Sequence, residues 1–249
     1  MRSSFLLMVF LFLFSRWGFA QEERASPRLF EYYIQLGYNI GGAMPIPLPE
    51  QIRKIRHYDP GFSPSIGGEV VYNIDPKWSL GAALRFDIKG MNITDSVQYF
   101  HTLISMDDAE FEGDFSGTNQ TTAKNGYLLL PVYAVYNTGR NWRVKLGAYA
   151  GYLVRPYFRG TVRDGYIRKG NSLGEKVIID KAVFNFDEKE NKWDWGLHAG
   201  GEKKWSRFAL SGDLQWGLRS LFPSSFKGVG FKMTNVYFTL SAKKQVFNR

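Results

Sequence analysis

The sequence predicts an all-β fold, namely an eight-stranded antiparallel up-and-down transmembrane β-barrel with short turns at one end and long loops at the other. Three observations predict it: segments of alternating hydrophobicity recur after residue 28, short and long connections alternate between them, and no later apolar run is long enough for a spanning helix. Segment 78–89 shows the alternation, because its apolar side chains take even positions while Arg85, Asp87 and Lys89 take odd ones.

The N-terminus has the features of a secretory signal peptide, so we divide the chain into a signal over 1–20 and a barrel domain over 21–249. Arg2 precedes an apolar run over 5–14, and Gly18-Phe19-Ala20 forms a small-x-small cleavage site. Removing the signal, with Arg2 and Arg16, lowers the net charge from +9 to +7. That basic balance suits anionic lipid headgroups, and the chain carries no basic-aromatic motif typical of nucleic-acid binding.

Each predicted strand pairs an apolar face with a polar one. The strands are expected at 30–41, 64–74, 78–90, 126–137, 142–155, 193–204, 207–219 and 232–245. Taken in that order, the outward apolar side chains include Ile34 and Leu36, Ile66 and Val70, Leu80 and Leu84, Leu128 and Leu130, Val144 and Leu146, Trp195 and Leu197, Leu210 and Leu214, and Phe238 and Leu240. Residues two apart share a face, so these sets form one apolar band.

The connections between these strands alternate in length. Short turns fall at 75–77, 138–141 and 205–206, and long loops at 42–63, 91–125, 156–192 and 220–231. Outer-membrane barrels have short periplasmic turns, long extracellular loops and an even strand count. The sequence therefore predicts a multi-pass barrel in the outer membrane of a Gram-negative cell, in contact with outer-membrane lipid and lipopolysaccharide, and monomeric.

Aromatic residues decide which face meets lipid. A soluble ligand-binding barrel would place the apolar face inside, but the tryptophans share the apolar parity and lie near strand ends, as aromatic girdles at the two membrane interfaces require. The predicted girdles comprise Tyr32, Tyr72, Trp78, Tyr136, Trp142, Tyr152, Trp193, Trp195 and Trp216.

The opposite face carries charges of both signs. An eight-stranded barrel is just wide enough for side chains to fill, and buried charges must be paired, so we expect an internal ion-pair network. Its predicted members are Glu69, Arg85, Asp87, Arg143, Lys145, Asp194, His198, Glu202, Asp213, Arg219 and Lys243, with Glu31 and Lys89 on the same face. A narrow ion path is the alternative, for which one sign should prevail.

Short motifs in the later strands resemble a known family. They are the run 127–154 (YLLLPVYAVYNTGRNWRVKLGAYAGYLV), the run 195–201 (WGLHAGG) and the closing 237–241 (YFTLS). With the strand pattern, they resemble the outer-membrane β-barrel family common in Bacteroidetes, often labelled PorT-like and similar in architecture to the small OmpX and OmpA barrels. The resemblance implies this fold and location for most of the mature chain. The PorT branch is tied to a type IX secretion apparatus.

Function is expected in the long loops, because membrane spanning alone explains the wall. Alternation within 156–192 suggests a hairpin that projects beyond the membrane. We predict a non-enzymatic scaffold whose outer loops contact a protein partner or ligand. The alternatives are a small-solute or ion channel and, with less support, a lipid-modifying enzyme. That enzyme would need a serine beside a lipid-facing histidine, whereas His57 and His101 lie in loops and His198 lies on the charged face. No cofactor, metal site or catalytic residue is predicted.

Overall fold

The computed structural model describes residues 29–106 and 109–248; the predicted signal peptide lies outside them. Within the described part, no helix is long and apolar enough to cross a membrane. The strands are β1 (Phe30–Pro45), β2 (Ile52–Asp59), β3 (Pro64–Asn73), β4 (Trp78–Met106), β5 (Ala109–Gly139), β6 (Trp142–Arg155), β7 (Phe158–Lys169), β8 (Lys176–Asn185), β9 (Trp193–Trp205), β10 (Phe208–Gly217) and β11 (Met233–Asn248). A 3₁₀ turn, Asp187–Lys189, lies between β8 and β9.

All these strands belong to one 11-stranded antiparallel sheet. The all-β, antiparallel, up-and-down prediction is therefore confirmed, but the count of eight strands was wrong for the chain. Pairing runs β1–β3–β4–β5–β6–β9–β10–β11 and returns to β1, so these strands close a barrel-like ring. The extra strands β2, β7 and β8 lie beyond the ring, in segments expected to be loops.

Side chains in the ring alternate between an apolar exterior and a polar interior. On β6, for example, Leu146 is 67% exposed while its neighbour Lys145 is buried. The two-residue period of a strand causes this, so one face of every ring strand points into the lumen. The closing β1–β11 pair places Gln35 opposite Lys243, both on the buried face.

Two strands continue far past the ring. β4 has 29 residues and β5 has 31, and they stay paired with each other from Trp78–Tyr136 to Met106–Ala109. Beyond the ring, β2 pairs with β4, β7 pairs with β5, and β8 pairs with β7 and touches β4 at Ser105. The prediction that 91–125 is a loop was therefore wrong, whereas the hairpin expected within 156–192 is present as β7 and β8. We call this extension, with the 220–231 segment that packs on it, the outer domain.

The outer domain has its own apolar core. Phe115, Val162, Ile167 and Ile179 are completely buried there. Its other buried members include Met91, Val97, Ile104, Phe158, Phe184, Phe186, Leu221, Phe222 and Met233. The inward face of β4 thus changes from largely charged to largely apolar past Lys89, which gives the extension the kind of interior that the hydrophobic effect favours in water.

Candidate functional site

The predicted girdle aromatics all lie on the outer surface. Their exposed fractions run from 38% at Tyr32 to 55% at Trp193. Trp78 packs against Tyr136 with ring centroids 4.9 Å apart, and Tyr152 packs against Trp193 at 5.1 Å. The first pair lies where β4 starts and β5 ends, and the second lies where β6 ends and β9 starts, so they mark opposite ends of the ring.

Charged side chains fill the lumen from one end to the other. At the end with the short turns, Arg143 Nη2 contacts Glu31 Oε2 at 3.0 Å and Arg143 Nη1 lies 3.5 Å from Glu202. Lys204 Nζ also contacts Glu31, at 3.0 Å, and the Tyr33 hydroxyl donates to the same carboxylate at 2.5 Å. Glu31 therefore joins side chains from three different strands.

The middle of the lumen is a second group of linked charges. Lys243 Nζ bonds both Glu69 and Glu202, the latter at 2.8 Å. Lys145 Nζ lies 2.8 Å from Asp213 Oδ1 and donates to the Ser211 hydroxyl at 2.5 Å. Both lysine side chains are at most 2% exposed, so these ion pairs are shielded from solvent.

Two smaller groups complete the lumen. Arg85 Nη2 contacts Asp87 at 2.8 Å. Nearer the outer end, Lys89 Nζ lies 3.2 Å from Asp194, which also accepts hydrogen bonds from Tyr149 and Asn235. The Lys89 ammonium lies 5.0 Å from the ring centroids of the tyrosines at 127 and 149, within the range of a cation–π contact.

His198 lies among these charges with only a long contact to an acid. Its Nε2 is 3.4 Å from Asp213 Oδ1, and its ring stacks on Tyr133 with centroids 4.9 Å apart. His198 is 1% exposed and faces the lumen, so it does not reach the lipid-facing surface.

The structure brings together ten of the eleven residues predicted for the network and leaves one apart. Arg219 lies past the end of β10 and donates to the Asn191 side chain at 3.4 Å, apart from the ion pairs of the lumen. The β10 strand ends at Gly217, two residues before Arg219. The predicted set also omitted Lys204, although its even position on β9 matches that of Asp194 and Glu202.

A cavity of about 60 Å³ lies in the outer domain, above the lumen charges. Most of its wall is apolar, with Met91, Phe158 and Met233 among the lining residues. One part of the wall is polar. There Asn119 Nδ2 donates to Asp95 Oδ1 at 2.8 Å and lies 3.2 Å from the Thr121 hydroxyl. Burial raises the pKa of the Asp95 carboxyl to about 6, against the smaller opposing effect of the Asn119 hydrogen bond.

A larger cleft of about 480 Å³ opens beside the 3₁₀ turn. It is lined by Leu103, Glu112, Glu188, Lys189, Glu190, Pro223, Ser225, Phe226, Lys227 and Gly228. Glu190 is its buried acid, 5% exposed, and it accepts a hydrogen bond from Asn125. Burial raises the pKa of Glu190 to about 8, and the nearby Asp187 carboxylate adds to the rise.

The raised pKa of Glu190 predicts a pH-dependent stability of the outer domain. In the folded state, Glu190 keeps its proton up to about pH 8, whereas in the unfolded chain it releases the proton near pH 4.5. The free energy of unfolding therefore falls as pH rises from about 4.5 to about 8, and it does not change with this group above that. Asp95 acts in the same direction only up to about pH 6. Glu190→Gln should therefore remove the decline in outer-domain stability between pH 6 and 8. Amide hydrogen exchange of β7, corrected for the intrinsic exchange rate at each pH, measures this stability. Exposed Glu188→Gln is the matched control; an unchanged decline in Glu190→Gln would refute this assignment.

Comparisons with known proteins identify the family. The curated proteins contain no match. A solved structure of Ail, the attachment invasion locus protein of Yersinia pestis, matches with a TM-score of 0.37 and 11% sequence identity, covering 87% of this chain and 98% of that chain. A family model described as outer membrane protein beta-barrel domain matches residues 19–223, which is most of the chain. The chain therefore belongs to the outer membrane β-barrel domain family.

Proposed function

We propose that the protein is a non-enzymatic outer-membrane anchor whose ring spans the outer membrane of a Gram-negative cell and holds the outer domain outside it. The observation that carries this proposal is the outer domain itself. It is built from ordered strands that continue those of the ring and has a separate apolar core. Membrane spanning requires none of it, and ordered segments on a rigid scaffold are where binding sites concentrate. The contacted partner is a protein or a smaller ligand.

The lumen supports an anchor in preference to a channel. Among the described residues, six carboxylates (Glu31, Glu69, Asp87, Asp194, Glu202 and Asp213) contact six cations (Arg85, Lys89, Arg143, Lys145, Lys204 and Lys243). A selective ion path is expected to show an excess of one sign and free space, whereas these pairs fill the interior and neutralise one another. We place the ring among the monomeric eight-stranded barrels; assignment to the PorT-like or OmpX-like branch stays a prediction.

The histidines support a role without catalysis. A hydrolase of the serine type needs a histidine that accepts the proton of the serine hydroxyl. In the outer domain, the Ser172 hydroxyl donates to Asp114 at 2.8 Å, and His101 bonds the other oxygen of that carboxylate at 2.9 Å. The serine and the histidine thus each bond the Asp114 carboxylate, and this arrangement does not direct the serine hydroxyl to the histidine.

Removing the outer domain tests the proposal. In the trimmed variant, an Asn-Gly turn replaces residues 93–121, joining the paired Asn92 and Thr122, and a short Gly-Ser linker replaces 158–186. We expect a folded ring with heat-modifiable migration and native tryptophan fluorescence, because the described tryptophans lie in ring strands. In a deletion strain, this variant should behave like the deletion. Leu173→Ser, at a 93% exposed position of the outer domain, is the control that should restore the wild-type phenotype. Full complementation by the trimmed ring would place the role in the wall or the periplasmic turns.

A further inference from the structure

The polar part of the outer-domain cavity centres on a buried acid. Asp95 is 3% exposed, and among the described residues no basic side chain forms an ion pair with it. Across the ladders it faces Ile55 of β2 and Asn119 of β5. Asp95 is the one titratable residue among the described residues that line the cavity. On the flanking strands, Arg53, Lys54, Arg56 and His57 of β2 and Arg159, Arg163 and Lys169 of β7 are exposed, and the partly buried Arg168 bonds the Gly174 carbonyl oxygen. Buried charges are normally paired, so the Asp95 carboxylate would be stabilised by a cation that the described residues do not supply.

A second group beside it also needs a partner. The amide nitrogen of Asn119 is used by Asp95 and Thr121, but its carbonyl oxygen is buried with no hydrogen-bond donor among the described residues. Asn119 is 5% exposed and lines the same cavity. One buried anion and one buried acceptor therefore border the same space. A ligand that carries several N–H donors and a positive charge satisfies both.

The rest of the wall determines the other end of such a ligand. Phe100, Phe158, Phe184, Phe186 and Phe231 line the cavity together with Met91 and Met233. Aromatic faces attract organic cations, and the apolar wall favours a hydrocarbon group over a hydrated metal ion. Phe100 and Phe231 are only partly buried, so the cavity lies close to the outer surface on that side.

Size limits the ligand further. A water molecule needs roughly 10–15 Å³ of cavity volume, so a cavity of about 60 Å³ holds a molecule of only a few non-hydrogen atoms. A short primary amine has this size and has an ammonium group at one end and a hydrocarbon chain at the other.

We propose that this cavity binds a small primary ammonium compound, with Asp95 as its counter-ion, Asn119 as a second acceptor, and the phenylalanine and methionine side chains around its hydrocarbon part. The site goes beyond the proposed anchoring role, since it gives the outer domain a specific ligand class. It can be tested on the purified protein, so its failure would leave the result of the trimming experiment unaffected.

The test uses n-butylamine as the probe and the methionine methyl groups as reporters. In purified full-length protein folded in detergent, with methionine methyls labelled with ¹³C, butylamine should shift the Met91 and Met233 signals saturably. Met44, which is 37% exposed and does not line the cavity, is the internal control. n-Butanol has the same chain without the charge and should bind at least about tenfold more weakly, and potassium chloride should not compete.

Variants and pH separate the role of the carboxylate from that of the cavity. Asp95→Asn should reduce butylamine affinity to that of butanol and leave butanol binding unchanged. Since burial holds the pKa of Asp95 at about 6, wild-type affinity for butylamine should rise about tenfold from pH 5 to 7.5, and the variant should show no such rise. Ala43→Leu fills the cavity and should abolish binding of both probes. This variant keeps the proposal testable if Asp95→Asn does not fold. Equal affinity for butanol and butylamine, displacement by potassium, or unshifted methionine signals would each overturn the proposal.

Discussion

Replacing Lys243 with methionine is expected to destabilise the folded protein by about 3–5 kcal/mol, because it leaves the buried Glu69 carboxylate without its cation and removes one of the cations beside Glu202. Lys243 joins Glu69 and Glu202 in the middle of the lumen, and each of the three side chains is at most 3% exposed. Urea unfolding of protein folded in lipid vesicles, followed by tryptophan fluorescence, measures the loss.

Two further variants make this result specific. Lys244→Met, the adjacent and exposed lysine, is the matched control and should change stability by less than about 0.5 kcal/mol. Adding Glu69→Gln to Lys243→Met removes one stranded charge and should restore part of the lost free energy. A Lys243→Met protein as stable as the Lys244→Met control would show that the lumen is hydrated enough to solvate free carboxylates.

The second large effect is expected at the outer surface of the ring. Leu146→Arg should cost about 2–4 kcal/mol, because Leu146 is 67% exposed between Trp142 and Tyr152 on β6 and would place a charge near the bilayer midplane. Val154→Arg is the matched control on the same strand and face. Val154 is 49% exposed and lies beyond Tyr152, where the cost should be at most about 1 kcal/mol.

The same vesicle-unfolding experiment measures both arginine variants. Both sites are exposed, so overpacking does not complicate the comparison. Equal stability of the two variants would mean that the apolar band does not lie in lipid at the depth that the aromatic residues indicate.

The ring could be predicted from the sequence because one physical rule holds along its whole length. Lipid outside and paired charges inside produce a two-residue alternation, as in 78–89, and tight turns mark the ends. Pro131 lacks the backbone N–H that a strand residue donates to its neighbour. The β4–β5 pairing has no residue pair at its position, and the flanking pairs are Ala82–Val132 and Arg85–Leu129.

The extension of β4 and β5 was missed because the rule reverses there. Past Lys89 the inward positions of β4 become apolar at Met91 and Val97, and a register shift near Tyr99, which has a φ of 52°, then moves the buried set to Thr102 and Ile104. A search for strands with outward apolar and inward polar side chains finds no regular alternation in such a stretch. The unpaired Asp95 could not be foreseen either, since it depends on which residues of β2, β5, β7 and β8 meet at one point.

The length of β4 and β5 fixes how far from the bilayer the outer domain acts. Their paired extension from residue 91 to the tip at Met106 contains 16 positions of β4, or roughly 50 Å along the strand at about 3.3 Å per residue. At a strand tilt of about 35–45°, that is a height of roughly 35–40 Å. The polar headgroup layer adds only about 5–7 Å to each side of the hydrocarbon core. In the orientation proposed above, the tip therefore stands well clear of the lipid surface, within reach of large structures outside the cell that could not approach the bilayer itself.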